Sequence, residues 1–538
     1  MLFTAFFSCQ KQQQFDVLIK NAVIYDGSGE TPVAGDVGIN ADTIAAIGQL
    51  KATGKLAIDA QGMAVAPGFI NMLSWANVTL LEDGRSQSDI RQGVTLEVMG
   101  EGSSMGPLSE DMKTEMLENQ NDIQYDISWT TLGEYLQHLE DRGVSTNIAS
   151  FVGNGTLRRH VIGYENRPAT PEEIEQMSAL TATAMQEGAV GISSSLLYAP
   201  SMYANTEELT ALSRVAAANG GMYISHIRSE GEELLESIDE LITISRDAGI
   251  SAEVYHLKAS GERNWAKMDS VLVRIEAARA EGLPITADMY TYPASSTGLH
   301  VQLPKWVREG GVEATIERLS DPTLRDRILK DIEFEHSPDK ILLVGFRNPD
   351  LRVHIGKYLN EVATELGKAP EEAMVDLIIE DNSRIQVVYF SMSEDNIKKK
   401  IVQPWMSFCS DAGSFSAEGV FLKQSTHPRA YSSFIRVLGK FSRDEGLFPL
   451  EEAVRRLSAL PAKNLNLEKR GLLQPGYFAD VVIFDPDKAK DNATFQEPHQ
   501  YAEGMEHVFV NGVHVLKDSE HTGATPGRFV KGPGYREN

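Results

Sequence analysis

A chain of 538 residues, 42% of them hydrophobic, can bury a large core and form more than one domain. Its formal net charge of −26 argues against nucleic acid and anionic membrane surfaces as partners, since phosphates would be repelled. With only two cysteines, Cys9 and Cys409, there is no disulfide framework and no cysteine-rich zinc site, so any metal falls to His, Asp or Glu.

Residues 2–8 form a short apolar run that ends at Cys9, and 10–14 make a polar tether. Together 1–14 resemble the remnant of a bacterial lipoprotein signal with Cys9 as the lipidated residue; a frayed apolar terminus is the other reading. The first would make the protein periplasmic or membrane-anchored, the second cytoplasmic. No run of 18 apolar residues follows, so no membrane-spanning helix is expected.

Alternating residues at 16–20, 21–25, 35–39 and 43–48, divided by Gly, Asp and Asn turns, predict short antiparallel strands. The same texture returns at 476–485 and 507–512. Neither piece holds enough strands alone, so 15–62 and 468–538 are expected to join in one small β domain. Between them, apolar runs at 64–70, 94–99, 146–152, 189–194, 222–226, 252–256, 284–289 and 405–410 alternate with helical segments. That pattern predicts a (β/α)8 barrel over 63–467, with its active site where the strands end. Residues 321–400 are charged and mainly helical, and too long for a loop, which predicts a lid or side insertion at the barrel mouth.

Two of the predicted strands end in histidine, Met222-Tyr223-Ile224-Ser225-His226 and Ala252-Glu253-Val254-Tyr255-His256. The spacing is that of one βαβ unit, and 232–248 carries the 3.6-residue period of the crossover helix. Imidazoles on neighbouring strand ends converge above the sheet, the geometry of a catalytic zinc that keeps one position open. Each is followed two residues on by a cation, Arg228 and Lys258. The bland alternative is two histidines that cap buried strands.

Ala66-Pro67-Gly68-Phe69-Ile70, Gln92-Gly93-Val94-Thr95, Ser225-His226-Ile227-Arg228, His256-Leu257-Lys258, Ser410-Asp411 and His427-Pro428-Arg429 together resemble the D-aminoacylase (N-acyl-D-amino-acid deacylase) branch of the amidohydrolase superfamily. The resemblance runs from about Phe15 to the C-terminus and implies a TIM-like amidohydrolase barrel with a small β-sandwich domain built from both termini. It also implies hydrolysis of an N-acyl amide by metal-activated water. One departure is plain: the family's Asp-x-His-x-His on the first strand is here Asn71-Met72-Leu73-Ser74-Trp75. Leu73 and Trp75 cannot bind zinc, so a binuclear centre of the usual kind is ruled out and one zinc per chain is expected.

The tightly held ion of the branch resembles a set formed by His226, His256 and a second-strand residue, a cysteine in D-aminoacylase. Ungapped alignment puts Gly102 opposite that cysteine and Glu101 beside it. A one-residue shift in the Gly-rich turn lets Glu101 complete a His2Glu set that zinc accepts; otherwise Glu101 is a solvated turn residue. The resemblance further implies Asp411 as general base and then acid, against a simple N-cap role. It implies Arg429 as the clamp on a substrate α-carboxylate, with Lys258 and Tyr198 at substrate-binding positions. Tyr290 or Tyr292 could donate to the tetrahedral oxyanion. The expected activity is hydrolysis of the amide bond of small-molecule N-acyl-D-amino acids. The alternatives are another carboxylate-bearing amide (a cyclic amide or a dipeptide) and a metal-free, non-catalytic binding protein.

Overall fold

The computed structural model describes residues 13–537. Cys9, the expected lipid anchor, lies outside them. No helix among the described residues is long and apolar enough to cross a membrane.

Strands from both ends of the chain form one nine-stranded sheet. Gln13–Ile24, Val33–Asn40, Thr43–Gly48, Ala52–Asp59 and Ala64–Pro67 come from the N-terminal side, and Val481–Phe484, Met505–Val510, Val513–Lys517 and Glu520–His521 from the C-terminal side. They meet where Ala64–Pro67 pairs antiparallel with Val481–Phe484, Ala64 opposite Phe484 and Pro67 opposite Val481. Burial drives the union: Ile19, Val37, Ile39, Val65, Val481, Ile483 and Phe509 share one apolar cluster that neither piece could close alone. The expected sandwich is a continuous hydrogen-bonded sheet with a fork. Gln13–Ile24 pairs with Val33–Asn40 along one edge, and along the other first with Ala52–Asp59 and then with Ala64–Pro67.

The predicted run 64–70 divides at Gly68. Ala64–Pro67 stays in the terminal sheet, while Phe69–Asn71 opens the barrel. A Cβ at Gly68 would lie 2.0 Å from Thr95 Oγ1, so only glycine lets the chain pass from one sheet to the other so close to the second barrel strand. The remaining barrel strands are Val94–Met99, a third in two pieces (Asn147–Ser150 and Val152–Gly153), Gly191–Ser195, Met222–His226, Ala252–Val254, Ile285–Met289 and Met406–Phe408. All their pairings are parallel. The first and last strands are joined by Met72 N–H to the Phe408 carbonyl (3.2 Å) and Asp411 N–H to the Leu73 carbonyl (3.0 Å). These strands are buried on both faces and rich in apolar residues, which made them visible in the sequence although Glu97, Glu253 and Asp288 interrupt them.

Between the seventh and eighth barrel strands the chain is not only helical. Ser295–Gly298, Ile341–Gly345 and Gln386–Tyr389 form a three-stranded antiparallel sheet. Leu299, Leu303, Leu343, Leu359, Met374 and Val387 give this segment a core of its own. It therefore begins nearer residue 295 than 321. The opening strand, Ser-Ser-Thr-Gly, has no apolar residue to announce it.

Candidate metal centre and active site

His226 is the last residue of the fifth barrel strand, opposite Ser195. His256 lies two residues past the sixth, at φ +36°, with its N–H donating to Asp288 Oδ1 at 2.6 Å. A non-glycine residue in that region costs free energy, and the short bond to Asp288 holds it there. Glu101 leaves the second strand through a tight turn with Gly100 at φ +99° and Gly102 at φ +63°. A Cβ on Gly102 would sit 2.2 Å from the Ser195 Cβ, so that position has no room for a ligand side chain and Glu101 takes the site instead.

Three donor atoms converge. Glu101 Oε1 is 3.0 Å from His226 Nδ1 and 2.8 Å from His256 Nε2, and the two ring nitrogens are 3.0 Å apart. All three side chains are buried. Ligands about 2.0–2.1 Å from a tetrahedral zinc stand roughly 3.3 Å from each other, so this set needs only a slight expansion to hold one. Charge fits as well. Burial alone would raise the Glu101 carboxyl, but the adjoining imidazoles hold it well below the usual carboxylate range. Burial and Lys258 push His256 down, yet the carboxylates of Glu101, Asp411 and Glu230 outweigh them and raise it to about 10. The surplus of negative charge that makes the ring keep a proton is what a divalent cation would neutralise.

Glu230, four residues after His226, was missed in the sequence. Its Oε1 lies 3.1 Å from His256 Nδ1 and 2.5 Å from Lys258 Nζ, and its Oε2 is 4.0 Å from His226 Nε2, which has no hydrogen-bond partner. For Nε2 of His256 to offer its lone pair, Nδ1 must carry the proton, and Glu230 is the acceptor in place. Lys258 Nζ also stands 2.7 Å from that nitrogen, so with Nδ1 protonated the lysine is left to Glu230. The signal available was a carboxylate in the loop just past a strand-end histidine.

Asp411 is not part of the converging triad. Its Oδ2 lies 2.7 Å from Arg429 Nη1, off the line of a hydrogen bond, and its Oδ1 accepts from the Trp75 indole at 3.2 Å. Arg429 is 4% exposed, stacks 4.5 Å over the Tyr290 ring, and keeps Nε and Nη1 without hydrogen-bond partners. Tyr198 sets its ring 5.4 Å from that of His226, and its phenol meets Thr297 Oγ1 of the inserted sheet at 2.7 Å. The Tyr290 ring is 6.5 Å from His256. Tyr292 faces elsewhere, under the Arg436 guanidinium at 4.2 Å and against His427 at 5.3 Å. Of the two tyrosines weighed for the oxyanion, only Tyr290 adjoins the imidazoles.

On the first strand, Asn71 is tied to Asp89 and Ser410, Leu73 is wholly buried, and the Ser74 hydroxyl donates to Glu97 at 2.7 Å. Neither lost imidazole is replaced by another ligand.

A barrel with a split terminal sheet and a buried carboxylate–imidazole set at its strand ends is the build of a metal-dependent hydrolase. The chain belongs to the amidohydrolase family, whose profile matches residues 56–516. It is 33% identical over 531 residues to a D-aminoacylase of Alcaligenes xylosoxydans xylosoxydans, covering 96% of this chain and 98% of that protein. It is 31% identical over 525 residues to an N-acyl-D-glutamate deacylase of the same organism, covering 97% of each. Its fold is similar to the crystal structure of D-aminoacylase, at TM-score 0.80 and 31% identity over 96% of this chain and 100% of that one. It is equally similar to N-acyl-D-glutamate deacylase from Bordetella bronchiseptica, complexed with zinc and a phosphonate mimic of the tetrahedral intermediate, at TM-score 0.81 and 30% identity over 96% and 100%.

Proposed function

We propose that this chain hydrolyses the amide bond of N-acyl-D-amino acids, with one zinc held by Glu101, His226 and His256 and with Asp411 as the proton carrier. In this reading 63–467 is the hydrolase barrel, and 15–62 with 468–538 is an accessory β domain. The convergence of three buried donor atoms within hydrogen-bonding distance of one another carries the reading. The named activities of the relatives support it.

When bound, zinc supplies Lewis acidity to the scissile carbonyl and acidifies water. Asp411 takes the proton of the attacking water and returns it to the leaving nitrogen, so its carboxylate must be ionised first and protonated later. Arg429 grips the substrate α-carboxylate: its buried Nε has no hydrogen-bond partner, its Nη1 meets Asp411 off the line of a hydrogen bond, and a guanidinium matches a carboxylate fork. Tyr290, beside His256, donates to the oxyanion as it forms. Glu230 and Lys258 hold His256 from behind. Tyr198, tied to Thr297, closes the inserted sheet over the mouth and keeps water out.

Purified protein assayed on N-acetyl-D- and L-amino acids, with zinc counted per chain, tests the proposal. About one zinc and turnover of D substrates are expected, both lost in His226→Ala and in His256→Ala. A folded wild-type chain that binds no metal, or that works without it, would overturn the reading.

A further inference from the structure

We propose that Trp75 is a positioning residue: its indole N–H holds the Asp411 carboxylate for proton transfer, and, since one zinc is already expected, it is the side chain whose exchange for an imidazole would admit a second cation beside Asp411. The first half rests on the reading of Asp411 as proton carrier. The second does not.

Trp75 and Asp411 meet because the first and eighth strand ends interlace. Met72 N–H donates to Phe408, Asp411 N–H to Leu73, and Trp75 N–H to Ala412 at 2.9 Å, while Ser74 pairs in parallel with Ala412. This lacing sets the two side chains next to each other, Nε1 to Oδ1 at 3.2 Å. Asp411 has a left-handed backbone, φ +48°, past the end of its strand, where no ladder pairing orients the side chain. Its carboxylate is oriented by two outside groups, the indole on one oxygen and the Arg429 guanidinium on the other. Once Arg429 turns to a substrate carboxylate, Trp75 remains as the donor that fixes Asp411.

The chemistry of the donor decides the second half. An indole N–H can only donate, whereas an imidazole at the same place could bind a cation. Around Asp411 the first strand supplies only Leu73, a Ser74 hydroxyl committed to Glu97, and this indole. Among the described residues, Glu101, His226 and His256 form the one converging group of three potential ligands. Trp75 is 37% exposed, so replacing it opens no cavity in the core.

The test uses the zinc-loaded wild type, Trp75→Phe and Trp75→His, with zinc per chain counted after equilibrium dialysis against rising zinc, and with kcat and KM measured separately. The wild type should level off at one zinc. Trp75→Phe should also hold one zinc but lose about tenfold in kcat, the worth of one hydrogen bond to a charged group, with KM within about twofold. Trp75→His, with an N–H restored, should recover part of kcat at low zinc and take a second ion at high zinc. A Trp75→Phe kcat equal to wild type would overturn the positioning role, and a wild-type plateau of two ions, or a Trp75→His plateau of one, the claim on the second cation. A wild type that binds one zinc but turns over no N-acyl amino acid would sink the reading of Asp411 and leave the ion count standing.

Discussion

Arg429 is the residue on which substrate class turns. Its buried guanidinium pairs with Asp411 off the line of a hydrogen bond and leaves Nε without a partner, a poor arrangement unless an anion arrives. Arg429→Ala should therefore lower kcat/KM about a hundredfold, mostly through KM, on any substrate with a free α-carboxylate. Substrates with that carboxylate amidated should lose less, only what Asp411 owes to Arg429 for its orientation, and equal losses on both would count against the clamp. Glu253 poses a different question, of stability. It accepts from Thr286 at 2.6 Å, Ser407 at 3.1 Å and Asn464 at 2.8 Å, while burial and the nearby Asp288 push its carboxyl up to about 8. The folded state thus keeps a proton that the unfolded chain has released. Its contribution is present below the unfolded carboxyl value and is lost as pH climbs toward about 8. Melting temperatures of Glu253→Gln between about pH 5 and 8 should fall less steeply than those of the wild type. Parallel curves would show that Glu253 does not titrate in that range.

Among the elements, the turn after the second barrel strand has the least freedom. Gly102 combines φ +63° with a site where a Cβ meets Ser195 at 2.2 Å, and Glu101 owes its position to that turn. Gly102→Ala should cost about 2–4 kcal/mol and weaken zinc binding, as denaturant melts and dialysis would reveal. An alanine variant with full affinity would mean that the turn does not set the carboxylate. The inserted sheet is the other element of consequence. Its edge strand carries Thr297, bonded to Tyr198, and Ser296, whose carbonyl accepts from Arg429 Nη2 at 3.3 Å. It thereby reaches both sides of the site from outside the barrel. Its edge strand of serine and threonine has no hydrophobic alternation to mark it, while Ile341–Gly345 and Gln386–Tyr389 are apolar runs too short to tell from buried helix turns in a charged, helical surround.

At the scale of the whole molecule, stability and metal content should be linked. Three buried donors crowded around one point come together only when the second, fifth and sixth strands do, so zinc favours the folded chain. A hundredfold excess of zinc over its Kd should add about 3 kcal/mol, and chelation should lower the melting temperature reversibly. A melting point indifferent to zinc would deny a site formed by the fold. The terminal sheet is equally a product of the whole. Truncation after residue 467 would strip Ala64–Pro67 of its antiparallel partner beside the barrel entry, and the remainder should aggregate rather than fold as a free barrel.

The sequence alone determined the barrel and the two histidines, because both are written in local pattern, and the joining of the termini, because neither end holds enough strands to close a sheet by itself. Parallel strands buried on both faces are short, mainly apolar segments at regular spacing, and a histidine at the end of such a segment has a defined address. Only the tertiary structure decided that Glu101 rather than Gly102 meets those rings, that Glu230 backs His256, that Tyr292 turns away, and that Trp75 reaches Asp411. These are contacts between residues tens to hundreds of positions apart, set by where glycine turns and strand ends stop to within an ångström. Hydrophobic pattern locates an element along the chain, but steric fit between elements aims its side chains.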